Sequence, residues 1–415
     1  MITNKKSKIL SIVDVLYLVC ILWLNAGVMR FGGYINSTLL LVFFFLGLLI
    51  NHYINLNRII ESGIVWGIVF LLSILPSSFL VYHGFESEVS ETIYAIIILT
   101  IAEHIRKRPD KIRRFFILCF MIDSIIINLN TVFILSTSKN IARIYASGSA
   151  AVVDAGFDYF LLAGYGYIYA LVIAIVIIAT CFPEIRKQPR FFKVIIYMYT
   201  LTGLALIIKA EYTIALISTI VGIPLAIITR YKIDPRTVLL TIFFGIIGLF
   251  SLEWLLNIAI DTNLFGPFIS ERFNEILYAL NGNTSSASDL SSRLYLYEKT
   301  LRAIPAHLIF GVYEYGVNGR YLIGYHTEWP DRLALFGLRY FVYCVFLYKS
   351  LKFSLNKISY KLFAGMLCFI VIGFVNPIIT QEFYLVLLFF IPLLFETDSG
   401  VMLDHSVKTL QRLKW

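Results

Sequence analysis

Charge is scarce in this chain. Asp, Glu, Lys and Arg make up 15% of its 415 residues, while 59% are hydrophobic and 16% aromatic. That balance is far from a soluble globular protein, and the mean hydropathy of +0.81 points to a polytopic membrane protein. Cysteine is scarce as well. Cys20, Cys119, Cys181, Cys344 and Cys368 lie in apolar segments with no CxxC pair and no histidine at ligand spacing, which removes zinc sites and disulfide frameworks and leaves them as packing residues. A Walker loop, a GxGxxG fingerprint, a DxD pair and an HExxH helix are all missing, so ATP hydrolysis, nicotinamide chemistry and zinc proteolysis have no motif support. Neither an internal repeat nor a soluble domain is visible. The formal net charge of +9 does not indicate nucleic acid, because the basic residues sit in short runs between apolar spans, where the positive-inside rule puts them.

What the chain does contain is long apolar stretches. A helix needs about 20 apolar residues to cross a hydrocarbon core of about 30 Å. Roughly twelve stretches meet or approach this: 9–28, 36–53, 60–82, 90–105, 114–136, 158–182, 191–209, 212–229, 237–260, 329–349, 359–376 and 380–396. Helices are expected because each span must satisfy its own backbone hydrogen bonds in lipid. The expected fold is therefore an all-α polytopic membrane protein with about 12 transmembrane helices. Lys5, Lys6 and Lys8 precede the first run as in a signal peptide, but no small-x-small cleavage site follows, and the segment reads as an uncleaved first helix.

The loops set an orientation. One side carries the N-terminal lysines, Arg58, the run from Arg106 to Arg114, Arg186 to Arg190, Arg230, Lys232, Arg236, Lys349, Lys352, Lys357, Lys361, and a tail with Lys408, Arg412 and Lys414. The short loops of the other side hold only Arg30, Lys139, Arg143 and Lys209, and its stretch from His83 to Glu91 is acidic. This asymmetry predicts that both termini are cytoplasmic. Residues 1–260 then form a membrane bundle of helices 1–9, 261–328 a large extracytoplasmic loop with short amphipathic helices, 329–396 helices 10–12, and 397–415 a cytoplasmic tail.

Two segments on the outer side are long. Thr137 to Asp158 is rich in Ser, Gly and Ala. Asp261 to Tyr325 is long enough to expect function or disorder, and its chemistry favours function. Within it, Glu271 to Leu280 reads as a short amphipathic helix and Asn281 to Ser292 as a polar turn. A second helix follows, capped by Ser288, Asp289 or Ser291, with Leu294, Tyr297, Leu301 and Ile304 on one face, Arg293 and Arg302 off it, and Pro305 ending or kinking it.

The candidate chemistry collects between Ser288 and Tyr340. Arg293 lies outside the cell at the membrane surface, against the usual charge bias. Its planar guanidinium suits a phosphate or diphosphate held in one orientation, although a solvated charge or a salt bridge to Glu298 or Asp289 explains it too. His326, at the re-entry into the membrane, can accept a proton from a hydroxyl, or it is a structural histidine at a helix start. Glu328 and Asp331 are neighbours able to orient His326 or to act as the base themselves. Arg332, about one and a half turns along the same expected helix, is a diphosphate-binding candidate with Arg302. Arg339 is left between pairing and snorkelling. Lys209 and Glu211 form a charged turn between the seventh and eighth spans, where mutual neutralisation competes with ligand contact. Asp123, inside the fifth span, is either a proton-relay group or a partner for polar side chains across helices.

From Arg293 to Gly311 the order is arginine, aromatic, an Ile-Pro dipeptide and a Phe-Gly turn; His326 comes about fifteen residues later, then Thr327, nine residues and Gly337. This resembles the O-antigen polymerase and O-antigen ligase family, over about fifty residues. Twelve spans with one large outer loop between the ninth and tenth are similar to that family's architecture. Three departures stand out: Tyr340 occupies the second glycine of the family's Gly-x-x-Gly, Thr327 replaces the commoner Ser, Asn or Gln, and Glu211-Tyr212-Thr213 stands where a Ser-Arg-small turn precedes the eighth span, with Lys209 the nearest cation. The resemblance implies a metal-independent glycosyltransferase of the bacterial inner membrane, without cofactor. It implies a polyprenyl-diphosphate-linked glycan as donor and a sugar hydroxyl as acceptor, with a chain-length regulator and a flippase as candidate protein partners. Polymerase is favoured over ligase, and a flippase for the same lipid-linked glycan is the reading from another class.

Overall fold

The structure is a computed structural model that describes residues 10–25, 37–51, 56–81, 87–137, 161–229, 253–254, 256–262, 270–271, 273–274, 277–278, 289–355 and 361–395. These residues are 86% helical, with no strand among them. Apolar runs become helices as expected: α1 (Ile12–Leu24), α2 (Ser37–Asn51), α3 (Leu56–Ser62), α4 (Ile64–Val81), α5 (Ser87–Arg106) and α6 (Asp110–Thr137) form the first half. Next come α7 (Tyr165–Thr180), the short α8 (Phe182–Arg186), α9 (Arg190–Ala210) and α10 (Thr213–Ile228). By length and composition α4, α6 and α9 are each able to cross a membrane, and shorter apolar helices accompany them. The expected ninth span falls mostly outside the described residues, as do the Thr137 to Asp158 segment beyond Thr137 itself, half of the Glu271 to Leu280 helix, the Asn281 to Ser288 part of the polar turn, and the C-terminal tail.

The bundle is built around helices that are apolar on every side, the pattern expected of a helix with no solvent or lipid face. Nearly every side chain of α7 is buried, and so is all of α16 (Gln381–Phe395) from Phe383 onward, which widens into a π-helical stretch over Leu385–Phe390. Around them, α9 packs on α6, and α10 packs on α7 and on α15 (Phe363–Val375). Close approach there depends on small residues: a Cβ on Gly222 would lie 2.7 Å from a Val176 methyl and 2.8 Å from Cys368 Sγ. Outer helices carry exposed apolar faces, such as Leu129 and Phe133 on α6 and Leu201 on α9.

Polar side chains inside this core answer one another across helices. Asn25 donates to Asp123 Oδ2 and to Ser124 Oγ, each at 3.0 Å. Tyr167 donates to Asn128 Oδ1 at 3.0 Å, and Asn128 donates to Thr202 Oγ1 at 3.2 Å. Asp123 is therefore an interhelical partner, the plainer of its two readings, because a buried polar group costs free energy unless it is hydrogen-bonded.

After residue 288 the chain forms α11 (Asp289–Ala306), a 3-10 turn (Val312–Tyr315), α12 (Gly316–Arg320), α13 (Trp329–Phe336) and α14 (Arg339–Leu355). Pro305 sits in the last turn of α11, at the expected end. The expected continuous span 329–349 is instead two helices. Gly337 has φ +59°, and a Cβ there would lie 2.4 Å from Leu308 O and 2.7 Å from Gly311 N. Only a glycine fits that left-handed, crowded position, and Leu338 N then donates to Leu308 O at 2.8 Å. The break turns α13 into a short arm lying on α11 and α15, separate from α14, which packs on α4.

Candidate functional site

Acids at the start of α5 and in the 3-10 turn, with two serines of α4, hold this region to the bundle. Glu88 pairs with Arg320 at 3.1 Å and Glu91 with Arg332 at 2.5 Å, while Ser77 donates to Glu314 Oε2 at 2.7 Å. Arg339 bonds Glu314 at 2.6 Å and Ser73 O at 3.0 Å. The acidic stretch read from the sequence is thus countercharge for part of the arginine cluster.

The turn before α13 is fixed by one carboxylate. Asp331 is 5% exposed. Its Oδ2 accepts from His326 N at 2.7 Å, from Thr327 N at 2.6 Å and from Thr327 Oγ1 at 2.9 Å, and its Oδ1 accepts from Thr300 Oγ1 at 2.5 Å. Thr300, buried on α11, also accepts from Gly324 N at 2.8 Å. These bonds hold Tyr325 at φ +56°, a conformation that costs a non-glycine residue about 1–2 kcal/mol and persists only where its surroundings enforce it. Arg320 covers the Tyr325 ring, 5.5 Å from its centroid. The result is a rigid Gly324–Thr327 turn from which the exposed His326 side chain projects.

A cavity of about 160 Å³ lies beside the turn. Arg293, Tyr297 and Thr300 of α11 line one side, His326, Thr327 and Asp331 another, and Phe374 and Val375 at the end of α15 the apolar side. Arg293 and His326 therefore line one space, beside a carboxylate that accepts four hydrogen bonds. Arg293, Leu296, Tyr297 and Thr300, at i, i+3, i+4 and i+7, form the cavity-facing stripe of α11. Of the four residues expected on one apolar face, Tyr297 lines the cavity and Ile304 packs on the core, while Leu294, also at the cavity, and Leu301 are 54% and 47% exposed.

The other candidates lie elsewhere. Arg332 is not among the cavity residues; its Nε donates to Glu328 Oε1, its Nη2 to Glu91 Oε2, and its guanidinium lies 5.5 Å from the Tyr343 ring centroid. Adjacent helical positions diverge by about 100°, so Asp331 faces the cavity while Arg332 faces the bundle. Glu328, 1% exposed, also accepts from Ile378 N at 2.9 Å and Ile379 N at 3.0 Å, tying α13 to the break between α15 and α16. Its carboxylate is a structural anchor accepting three hydrogen bonds, and so is that of Asp331, which accepts four. Arg302 pairs with Glu298 one turn away at 2.5 Å, with its side chain 79% exposed, and does not line the cavity. Lys209 is exposed at the end of α9, before Glu211 at φ +54°, and does not line it either.

Two contributors escaped the sequence reading. Thr300 had a usable signal, since it lies seven residues after Arg293, two turns along the same face. Glu91 had only the weaker signal of acidity at the start of an apolar helix.

In chemical terms the cavity offers a guanidinium to an anion, an imidazole to a proton, and an apolar wall continuous with lipid-type surface: Ile370, Val371 and Phe374 on α15 are 46%, 50% and 49% exposed. No family model matches this sequence, and no curated protein matches it.

Proposed function

We propose that this chain is a membrane glycosyltransferase that polymerises polyprenyl-diphosphate-linked oligosaccharide repeat units into a surface polysaccharide. It would act at the extracytoplasmic face of a bacterial inner membrane, with both termini cytoplasmic. The observation that carries the reading is that Arg293 and His326 line one cavity whose third side is apolar.

The chemistry follows from that arrangement. An acceptor sugar hydroxyl attacks the anomeric carbon of the donor. A C–O bond forms, the bond from that carbon to the diphosphate oxygen breaks, the hydroxyl proton passes to the His326 imidazole, and the diphosphate leaves on its polyprenyl carrier. Arg293 stabilises the charge that builds on the leaving diphosphate. At about 160 Å³ the cavity suits the reacting phosphate and not the whole glycan, whereas the exposed α15 face leaves the polyprenyl chain in lipid. Asp331 and Thr300 serve as positioning residues by fixing the turn that carries His326.

Full-length protein mixed with a lipid-diphosphate repeat unit, with products separated by size, tests this. Chains are expected to lengthen with wild type, and His326→Ala and Arg293→Ala are expected each to slow extension by at least about 100-fold, the usual contribution of a general base or a charge-stabilising donor. Equal lengthening by both variants refutes the site. Transfer of a finished glycan to a different lipid acceptor, without lengthening, identifies a ligase. Movement of labelled lipid across proteoliposomes without transfer identifies a flippase.

A further inference from the structure

A second, larger cavity lies along α5, toward the end opposite the Glu91 contact with Arg332. It measures about 510 Å³, within the range of about 300–1,000 Å³ typical of ligand sites. Most of its wall is apolar, including Phe44, Phe45 and Leu48 of α2 and Ile93 and Ile97 of α5. Phe45 is 56% exposed, so the groove opens sideways where lipid would lie. Polarity appears at one end, where Glu103, His104, Lys107 and Arg108 complete the wall.

That polar end is built. Asp14, fully buried in the first turn of α1 and held in a capping box with Ser11, lies 2.9 Å from His104 Nε2 and accepts from Arg108 at 2.6 Å. Both side chains are thereby fixed at the mouth of the groove. Lys107 stands beside them with its side chain 45% exposed, 3.3 Å from Glu103. Within the lining the charges of Lys107 and Arg108 answer Glu103 and the adjoining Asp14, and the positive excess comes from the rest of the run to Arg114, which adds four cations against Asp110 next to the mouth.

Size and shape restrict the occupant. From Ile93 to the end of α5 at Arg106 the helix rises about 20 Å, more than one leaflet's half of an about 30 Å hydrocarbon core. A compact solute leaves the apolar length unused. A single hydrocarbon chain ending in an anion fits both the apolar wall and the basic mouth.

We propose that this groove holds an anionic phospholipid from the surrounding leaflet, one acyl chain lying along α5 and the phosphodiester meeting Lys107 and Arg108. Basic pockets between membrane helices hold anionic headgroups by the same pairing of charge with chain burial. The site is independent of the glycan-transfer reading and involves none of its residues.

Native mass spectrometry of the full-length protein in mild detergent reads the result directly. The protein is titrated with dioleoyl phosphatidylglycerol, with dioleoyl phosphatidylcholine, or with glycerol 3-phosphate as competitor. One equivalent of phosphatidylglycerol is expected to be retained at a concentration at least about tenfold below that needed for phosphatidylcholine, undisturbed by glycerol 3-phosphate. Lys107→Ala is expected to weaken that retention about fivefold, the effect of one cation near an anionic lipid. Ile97→Trp, which puts an indole into the groove, is expected to release both lipids; should it fail to fold, Lys107→Ala on the protein surface decides alone. Equal retention of the two lipids, unchanged retention in Lys107→Ala, or displacement by glycerol 3-phosphate each overturns the proposal.

Discussion

Asp331 separates two views of the His326 cavity, because a clamp and a base respond differently to the same substitution. Its carboxylate accepts from His326 N, Thr327 N and Thr327 Oγ1 on Oδ2 and from Thr300 Oγ1 on Oδ1. In Asp331→Asn the amide oxygen can keep two of the three Oδ2 donors, since it has two lone pairs, and the amide NH₂ faces Thr300 Oγ1. One buried donor is left without a partner and charge assistance is lost, a cost of about 1–3 kcal/mol. Asp331→Ala leaves all of these donors unmet and is expected to cost about 3–5 kcal/mol. If Asp331 is a clamp, extension of a lipid-linked repeat unit falls about 10- to 100-fold in Asp331→Asn, at about 1.4 kcal/mol per tenfold, in step with a lower melting temperature in detergent. Thr300→Val, which keeps the shape and removes the hydroxyl, reproduces part of both losses. The reasoning is refuted if Asp331→Asn keeps the wild-type melting temperature and loses more than about 10³-fold in rate while Thr300→Val extends normally. That pattern belongs to a base.

The other predictions concern residues outside the cavity. Arg332→Ala leaves the buried Glu328 and the partly exposed Glu91 without their shared cation, and is expected to destabilise by about 3–5 kcal/mol, seen as a lower melting temperature; a variant that melts normally and raises only the KM for donor contradicts the placement of Arg332. Arg302→Ala breaks only an exposed pair with Glu298, so stability shifts by less than about 0.5 kcal/mol and extension stays within about twofold of wild type in the same assays. Gly337→Ala forces a Cβ to within 2.4 Å of Leu308 O at φ +59°, and is expected to lower stability by about 2 kcal/mol or more; proteolysis between α13 and α14 reports it, and resistance equal to wild type counts against the break described here.

Much of the fold was legible because hydrophobicity sets helices locally. Expected spans at 114–136, 191–209 and 212–229 match α6, α9 and α10 to within a few residues, since each run is bounded by charge, proline or a charged turn. The stretches 158–182 and 380–396 were legible as apolar spans, but nothing in the sequence analysis set α7 and α16 apart as the interior helices or told which helices would surround them. The span at 329–349 misled because hydropathy averages over windows, whereas the break is decided by one glycine and by what approaches it. Leu308 and Gly311 are more than 25 residues away in sequence, so nothing local predicts that Gly337 will meet them.

The site was legible by composition and not by direction. Ser288 to Tyr340 concentrates charge, and that concentration does mark the region holding the cavity, but charge on a membrane helix has two uses that look the same in a sequence. Glu298–Arg302 and Glu328–Arg332 both have the i, i+4 spacing of helical ion pairs, and both are ion pairs. Spacing alone therefore argued against Arg302 and Arg332 as open ligand groups. Arg293 has Asp289 at the same i, i+4 spacing, so spacing alone does not set it apart; what distinguishes it is that it lines the cavity with His326. The same test applied to Asp331 fails, because its partners are backbone N–H groups of a turn that forms only when Thr300 on α11 is in place. A carboxylate next to a histidine in sequence reads as a catalytic pair; in three dimensions the proximity is made through the histidine's backbone N–H and not through its imidazole.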